Sequence, residues 1–421
     1  MTIDDSMTRP YDEIDLSSRD FWSTTAAERE RAFAVLRAER PVSWHAPAES
    51  LSFVPRDPND RGYWAVTRHA DIVEVSRRND VFVSSDGVLF DTFPQDVLEA
   101  SMSILAMDPP KHTKIRKLVS AAFTPKQVKR IQDLIEANAK AIVQKLAATG
   151  SGADFVAHCA ARLPILTLSY MVGIPEEEHD KVAEAAEALL STGDPVFLAG
   201  RNPVAVLYEG QAYLRELALD LAGKRRHQPE EDLMTNMVQA EVDGETLTNE
   251  EIAAFFILLC VAGNDTTRQT TSHTLKALTD HPGQRAWLME DYEGRINQAM
   301  EEFVRWAGPV MTFRRTAVAD VELGGRQIRA GEKVVMFYSS GNWDTEVFTD
   351  PSRYDLSRAE NPHVSFGGGG AHYCLGNQVA KAQLKALFRE LLTQLPDIKA
   401  GEPELLTSNL IHGVRAMPCY F

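Results

Sequence analysis

Cysteine is scarce in this chain. Only four occur in 421 residues, at Cys159, Cys260, Cys374 and Cys419, with no CxxC pair and no framework spacing. That excludes a disulfide scaffold and points to a reducing compartment. Long apolar runs are missing too: nothing reaches the roughly 18 consecutive apolar residues that read as a membrane-crossing helix. The first residues are acidic and polar, with neither a secretory h-region nor a transit-peptide pattern, so a soluble, cytoplasmic protein is expected. Excess positive charge is absent. Sixty Asp and Glu outweigh 44 Lys and Arg, giving a net charge of −16, which argues against nucleic acid as a partner. Repeats, low-complexity segments and Pro/Ser-rich linkers are also absent. One domain over residues 20–421, behind a mobile leader of residues 1–19, is the economical organisation. A hydrophobic share of 44% suffices for a sizeable core.

The pattern is mainly helical. Residues 24 to about 40, 69–79 and 108 to about 123 carry apolar residues at helical spacing, and long helical patterns fill 131–240. Residues 62–67 read as a strand, as do short stretches after Pro309, with Gly324-Gly325 as a hairpin turn. Residues 84–107 read as a long loop with scattered apolar side chains, the kind that often binds something. Residues 192–203 break two helices with turn residues and apolar Val196, Phe197 and Leu198, as a mobile lid would. The most regular helix runs from 248 to about 279. Thr248 and Glu251 form a capping box, and Pro282 lies just past the stop. Its length of about 48 Å crosses a whole domain.

Two stretches carry chemistry. Residues 252–261 of that helix are apolar all round and should be buried. Just beyond them lie Ala262, Gly263, Asn264, Asp265, Thr266 and Thr267, so an acid and hydroxyls fall where burial is deepest and must find partners. They read either as a helix bend with satisfied polar groups or as a proton-delivery pair beside a small-molecule site. The second stretch is Phe366 to Gly376, in which four glycines precede Ala371, His372, Tyr373 and Cys374, and a helix pattern follows from 375 to about 392. Glycines allow a tight loop around something bulky. A cysteine at a helix N-terminus is stabilised as a thiolate, which suits an axial haem ligand. A flexible linker beside a buried structural cysteine is the plainer reading of the same residues. Cys159 and Cys260 lie in apolar helical patterns and read as packing residues.

Three weaker signals complete the set. His112 and Arg116 share a helix face at i, i+4. Residues 111–130 hold seven Lys/Arg and no acid in an otherwise acidic chain, either a solvated face or a docking patch for an acidic partner. Glu302 and Arg305, at i, i+3, can pair with each other and with a third group.

The order of these motifs resembles the cytochrome P450 family over essentially the whole chain from about Asp20. The resemblance implies a mainly α fold with a small β-rich part, a haem b cofactor (iron protoporphyrin IX) and monooxygenase activity on a hydrophobic substrate. Cys374 would be the proximal thiolate and metal ligand. His112, Arg116, Arg315 and His372 match positions that hold the haem propionates. Phe366 and Gly376 belong to the cysteine-loop signature. Asp265 and Thr266 match the acid–alcohol pair that protonates iron-bound dioxygen, and Ala262 and Gly263 the small residues that leave an oxygen groove. Glu302, Arg305 and Arg353 match a structural ion-pair cluster. Placed as the family implies, Phe90, Phe93, Leu105, Val196, Phe197, Leu258, Val310, Met311 and Leu410 line an apolar substrate pocket.

Two departures stand out. Phe366 lies eight residues before Cys374 rather than seven, and Trp343 replaces a common arginine. The longer glycine loop is shared with bacterial enzymes acting on steroid side chains and methyl-branched lipids. The runs 255–259, 301–307 and 411–413 also resemble the methyl-branched lipid ω-hydroxylases of that subgroup, pointing to branched fatty acids, isoprenoids or sterol side chains. Electrons would come from an acidic ferredoxin docking near residues 111–130 and from its reductase, which draws on NAD(P)H. A peroxide-driven peroxygenase and a non-catalytic haem sensor are the rival expectations.

Overall fold

A computed structural model describes residues 9–49, 54, 57–93, 95–242 and 244–421. The helix Asn249–Asp280 runs through the middle of the fold, as its sequence requires. Thr248 Oγ1 accepts from the amide of Glu251, and the Glu251 carboxylate accepts from the amide of Thr248, both at 3.1 Å. Reciprocal capping satisfies two donors that a helix start otherwise leaves unpaired. His281 closes the helix ahead of Pro282, whose ring cannot continue it. Its first half packs against Pro203–His227, His179–Ser191 and Arg162–Val172 in one apolar cluster. Its second half joins a different core, in which Asn377–Gln394 lies on Gln132–Thr149 and against Tyr292–Ala307.

A five-stranded sheet stands to one side, in the order Val42–His45, Tyr63–Val66, Lys333–Phe337, Thr312–Ala317 and Phe82–Val83. Only the pairing of Tyr63–Val66 with Lys333–Phe337 is parallel. The strand Val42–His45 was not foreseen, and neither was the helix Gln95–Met102 with the 3₁₀ turn Ser103–Ala106 inside the expected loop. Their short apolar runs read equally as loop until a partner surface covers them. The hairpin Val321–Leu323/Arg326–Ile328 turns at Gly324 and Gly325, both at positive φ.

The expected mobile leader does not hold for residues 9–19. Leu16 is fully buried and its carbonyl accepts from the Trp22 indole at 3.0 Å. The Arg9 guanidinium lies 4.4 Å from the Trp64 ring and 3.0 Å from Glu332. A cation over an indole and a buried leucine tie this acidic segment to the sheet, which composition alone cannot reveal. Residues 1–8 lie outside the described residues. No described helix is long and apolar enough to cross a membrane.

Candidate active site

The cysteine loop is shaped by a close approach to the helix His69–Arg77. A Cβ on Gly368 would lie 2.5 Å from Ser76 Oγ, and one on Gly370 would lie 2.4 Å from the Ser76 carbonyl. Gly367, Gly369 and Gly370 all take positive φ, which absorbs the extra residue of the loop. The amide of Cys374 donates to the Phe366 carbonyl at 2.9 Å, closing the turn. Cys374 precedes the helix Asn377–Gln394, whose N-cap is Gly376. Burial pushes its thiol pKa up, opposed by backbone N–H groups of Gly376 and Asn377 and by the charge of Arg116. Those donors are what a thiolate needs once a cation shares its charge. Phe366 packs beside the loop, with Lys381 Nζ 5.4 Å from its ring.

Four basic side chains gather beside this loop. Arg116 donates to the carbonyls of Ala371, at 2.7 Å, and Tyr373, at 2.5 Å. The rings of His112 and His372 lie 4.5 Å apart. His112 is 1% exposed, yet neither of its ring nitrogens has a hydrogen-bond partner. Arg315 is buried and gives one hydrogen bond, to the Arg314 carbonyl at 2.7 Å. Burial first, and then the charges of Arg315, His112 and Arg116, push the His372 pKa down to about 3. Burial likewise lowers that of His112, helped by Arg116 and Arg315. Two arginines beside histidines kept neutral by burial and by their charge, with both His112 ring nitrogens unpartnered, suit an anion, which would raise the histidine pKa values again. Two propionates supply that, and the single cysteine supplies one thiolate, so the residues present fit a haem.

A solvent-connected cavity lies along the helix Asn249–Asp280, with about 1540 Å³ of empty space counted out to open solvent. Phe90, Phe93, Leu105, Leu258, Val310 and Leu410 line it as expected, and Ala262, Asp265 and Thr266 form part of its wall. Thr266 Oγ1 donates back to the Ala262 carbonyl at 2.8 Å, and the helix stays α-helical through this turn. Asp265 is ion-paired with Arg268 at 2.5 Å and accepts from Gln269 Nε2 at 3.1 Å. Arg268 reaches on to Glu187 at 3.2 Å, and Gln269 Oε1 accepts from the Val414 amide at 2.7 Å. Arg268 and Gln269 were not singled out from sequence, although spacings of three and four from Asp265 are a readable signal.

Three expected pocket residues, Met311, Val196 and Phe197, and one residue of the expected oxygen groove, Gly263, fall elsewhere. Met311 alternates with Val310, so it turns to the opposite face and packs in the cluster of Trp22, Phe33 and Phe337. Val196 is 61% exposed, and Phe197 lies under Arg201, 5.3 Å from its guanidinium. Both sit on the short helix Pro195–Leu198, whose cap Asp194 points inward to Arg415 and leaves the helix facing out. Gly263 faces Leu168, with Leu168 Cδ1 3.7 Å from where its Cβ would stand, and is not part of the cavity wall.

Arg353 also needs correcting. It is 62% exposed and stands 4.0 Å from Asp355. The third member of the ion-pair cluster is Arg358, 9% exposed and 3.3 Å from Glu302, which binds fully buried Arg305 at 2.7 Å. Asp355 N and Asn361 Nδ2 complete the bonds to Glu302 at 3.0 and 2.9 Å. Trp343 lies tilted beside Trp306, ring centroids 5.3 Å apart, and its ring stands 5.8 Å from the Arg305 guanidinium. Of the seven cations at 111–130, Lys111, Lys114 and Arg130 pair with Glu251, Glu245 and Glu231. Lys117, Lys126 and Lys129 are exposed, with no ion pair among the described residues.

A helical scaffold that carries a lone cysteine on a glycine loop, a cluster of basic side chains beside it and a largely apolar cavity fits an oxidoreductase of the haem-thiolate class. Comparison with known proteins agrees. Residues 210–396 match the family model described as Cytochrome P450. The methyl-branched lipid omega-hydroxylase of Mycobacterium tuberculosis is 39% identical over 412 residues, covering 97% of this chain and 95% of that protein. The steroid C26-monooxygenase of Mycolicibacterium smegmatis is 39% identical over 389 residues, 91% and 88% of the two chains. Among solved structures, Mycobacterium marinum cytochrome P450 CYP268A2 in complex with pseudoionone superposes with a TM-score of 0.96 at 62% identity, covering 98% of this chain and 100% of that one. The chain belongs to the cytochrome P450 family and is a monooxygenase.

Proposed function

We propose that the protein hydroxylates a methyl-branched lipid, isoprenoid or sterol side chain, taking one oxygen atom of O₂ into a C–H bond and the other into water. When bound, a thiolate-ligated haem supplies the activation of dioxygen. The remaining work belongs to the chain. Cys374 would hold the iron through its thiolate, with the Gly376 and Asn377 amides and Arg116 sharing its charge. His112, Arg315 and His372 would hold the propionates, with Arg116 bracing the loop beside them. Thr266 holds a proton at Oγ1 on the cavity wall, and Asp265, held in place by Arg268 and Gln269, is the neighbouring acid of the pair. Phe90, Phe93, Leu105, Leu258, Val310 and Leu410 orient an apolar substrate and exclude water.

The observation that carries this reading is the apolar cavity bounded by Ala262, Asp265 and Thr266. The names of the two mycobacterial relatives, and the pseudoionone bound by the M. marinum protein, favour branched and isoprenoid substrates. The two electrons come from a small acidic ferredoxin and its NAD(P)H-dependent reductase in the cytoplasm, docking where Lys117, Lys126 and Lys129 are free. The test is a spectral screen of the haem-loaded enzyme with branched fatty acids, terpenoids and sterols, followed by turnover with a ferredoxin system. Low-to-high-spin shifts and NAD(P)H-dependent hydroxylated product are expected. Shifts confined to unbranched or polar compounds overturn the substrate class.

A further inference from the structure

The cavity wall is not uniformly apolar. Its lining also carries a polar set, the rim, made by Arg19, Glu49, Asp91 and Asn409. Asn409 Nδ2 donates to Asp91 Oδ1 at 2.6 Å, and the Asn409 backbone carbonyl accepts from Thr312 Oγ1 at 2.8 Å, so side chain and main chain are each held. The Arg19 amide donates to Glu49 at 2.8 Å, while one nitrogen of its guanidinium donates to the Gly193 carbonyl at 3.0 Å. The other guanidinium donors have no protein acceptor among the described residues. The charge of Arg19 reaches Asp91.

Two further carboxylates on the wall are already neutralised, Asp194 by Arg415 and Asp265 by Arg268. The rim therefore holds one cation against Glu49 and Asp91. Burial raises the Asp91 pKa, so the rim is net negative with Asp91 ionised, neutral with it protonated, and never positive. A carboxylate or phosphate end group gains no net attraction there and loses its hydration. A hydrocarbon end leaves the remaining donors of Arg19 and the second oxygen of Asp91 unanswered. A hydroxyl answers both at no charge cost, and a ketone answers the donors of Arg19 alone.

Resting on the proposed reading, in which oxidation occurs beside Thr266, we infer that this rim is a subsite for a neutral oxygen function, a hydroxyl or ketone, at the substrate end remote from the oxidised carbon. Arg19 donates to that oxygen and Asp91 accepts from a hydroxyl. Distance between rim and Thr266 then sets which carbon is reached, so the substrates are alcohols and ketones of isoprenoid or sterol type rather than fatty acids. Ser17, Arg19 and Trp22 bring the N-terminal segment into the site, so that segment contributes to recognition.

Spectral titration of the haem-loaded enzyme with farnesol, farnesene and farnesoic acid separates the possibilities. Farnesol is expected to bind about tenfold tighter than farnesene, the worth of one to two hydrogen bonds, with the acid weaker than the alcohol. Arg19→Met and Asp91→Asn should each close most of the alcohol–hydrocarbon gap, moving farnesene much less, and Arg19→Lys should restore part of it. The carbon-monoxide spectrum of each variant checks that the haem pocket is intact. Tightest binding of the acid, or a gap that survives both substitutions, overturns the subsite while leaving the isoprenoid reading standing. Failure of all three probes to bind the intact enzyme overturns both.

Discussion

Replacing Arg358 by methionine probes how the proximal side is held together. Glu302 and Arg305 are fully buried, and the Glu302 carboxylate accepts from Arg305, Asp355, Asn361 and Arg358. Arg358 also donates to the carbonyls of Thr349 at 2.8 Å, Asp350 at 3.3 Å and Arg353 at 3.1 Å, tying the segment before the cysteine loop to the helix Tyr292–Ala307. Methionine keeps the apolar stem and removes the charge. Four charge-assisted bonds are lost at about 1 kcal/mol net each, offset by water that reaches the half-opened site, for a cost of about 3 kcal/mol. That is roughly a 150-fold shift toward the unfolded state. The exposed ion pair of Arg353 is worth about 0.5 kcal/mol or less. Urea unfolding of the two haem-loaded variants at equal haem occupancy, followed by circular dichroism, measures both. An Arg353→Met variant as unstable as Arg358→Met, or an Arg358→Met variant within about 0.5 kcal/mol of the parent, refutes the reasoning.

Thr266→Ala should leave substrate affinity near that of the parent but divert most NAD(P)H consumption to hydrogen peroxide; unchanged coupling in an oxygen-electrode and product assay removes Thr266 from proton delivery. Met311→Ala should cost about 2–4 kcal/mol of stability with little change in substrate affinity, because its side chain fills the cluster of Trp22, Phe33 and Phe337 rather than the cavity; Leu258→Ala, on the cavity wall, should chiefly weaken binding. His45 is 1% exposed and burial lowers its pKa to about 4 from 6.5. The unfolded chain therefore takes up a proton first, so His45 adds stability that is full above pH 6.5 and fades as pH falls toward about 4. The loss is up to about 3 kcal/mol, and unfolding curves of His45→Gln should be flatter over that window.

Local sequence determined what depends on near neighbours. The capping box at Thr248 and Glu251 forms with residues three apart, and the all-round apolar turns that follow it are buried, or turned to the cavity, as their pattern demands. The glycine run before Cys374 and the pairing of Glu302 with Arg305 were legible for the same reason. The departures arise where the chain must choose between distant partners. Arg353 and Arg358 are both arginines near Asp355, and only the folded position of Glu302 distinguishes them. Met311 and Val310 are both apolar, and the extended segment leading into the strand Thr312–Ala317 sends one to the core and one to the cavity. An acidic N-terminal segment reads as solvated until Trp22, Trp44 and Trp64 offer surfaces for Leu16 and Arg9. Periodicity, capping and thiolate chemistry are short-range and survive in the linear chain. Which arginine is buried, which apolar face meets the ligand and whether a terminus docks depend on burial, and burial exists only once the tertiary structure has formed.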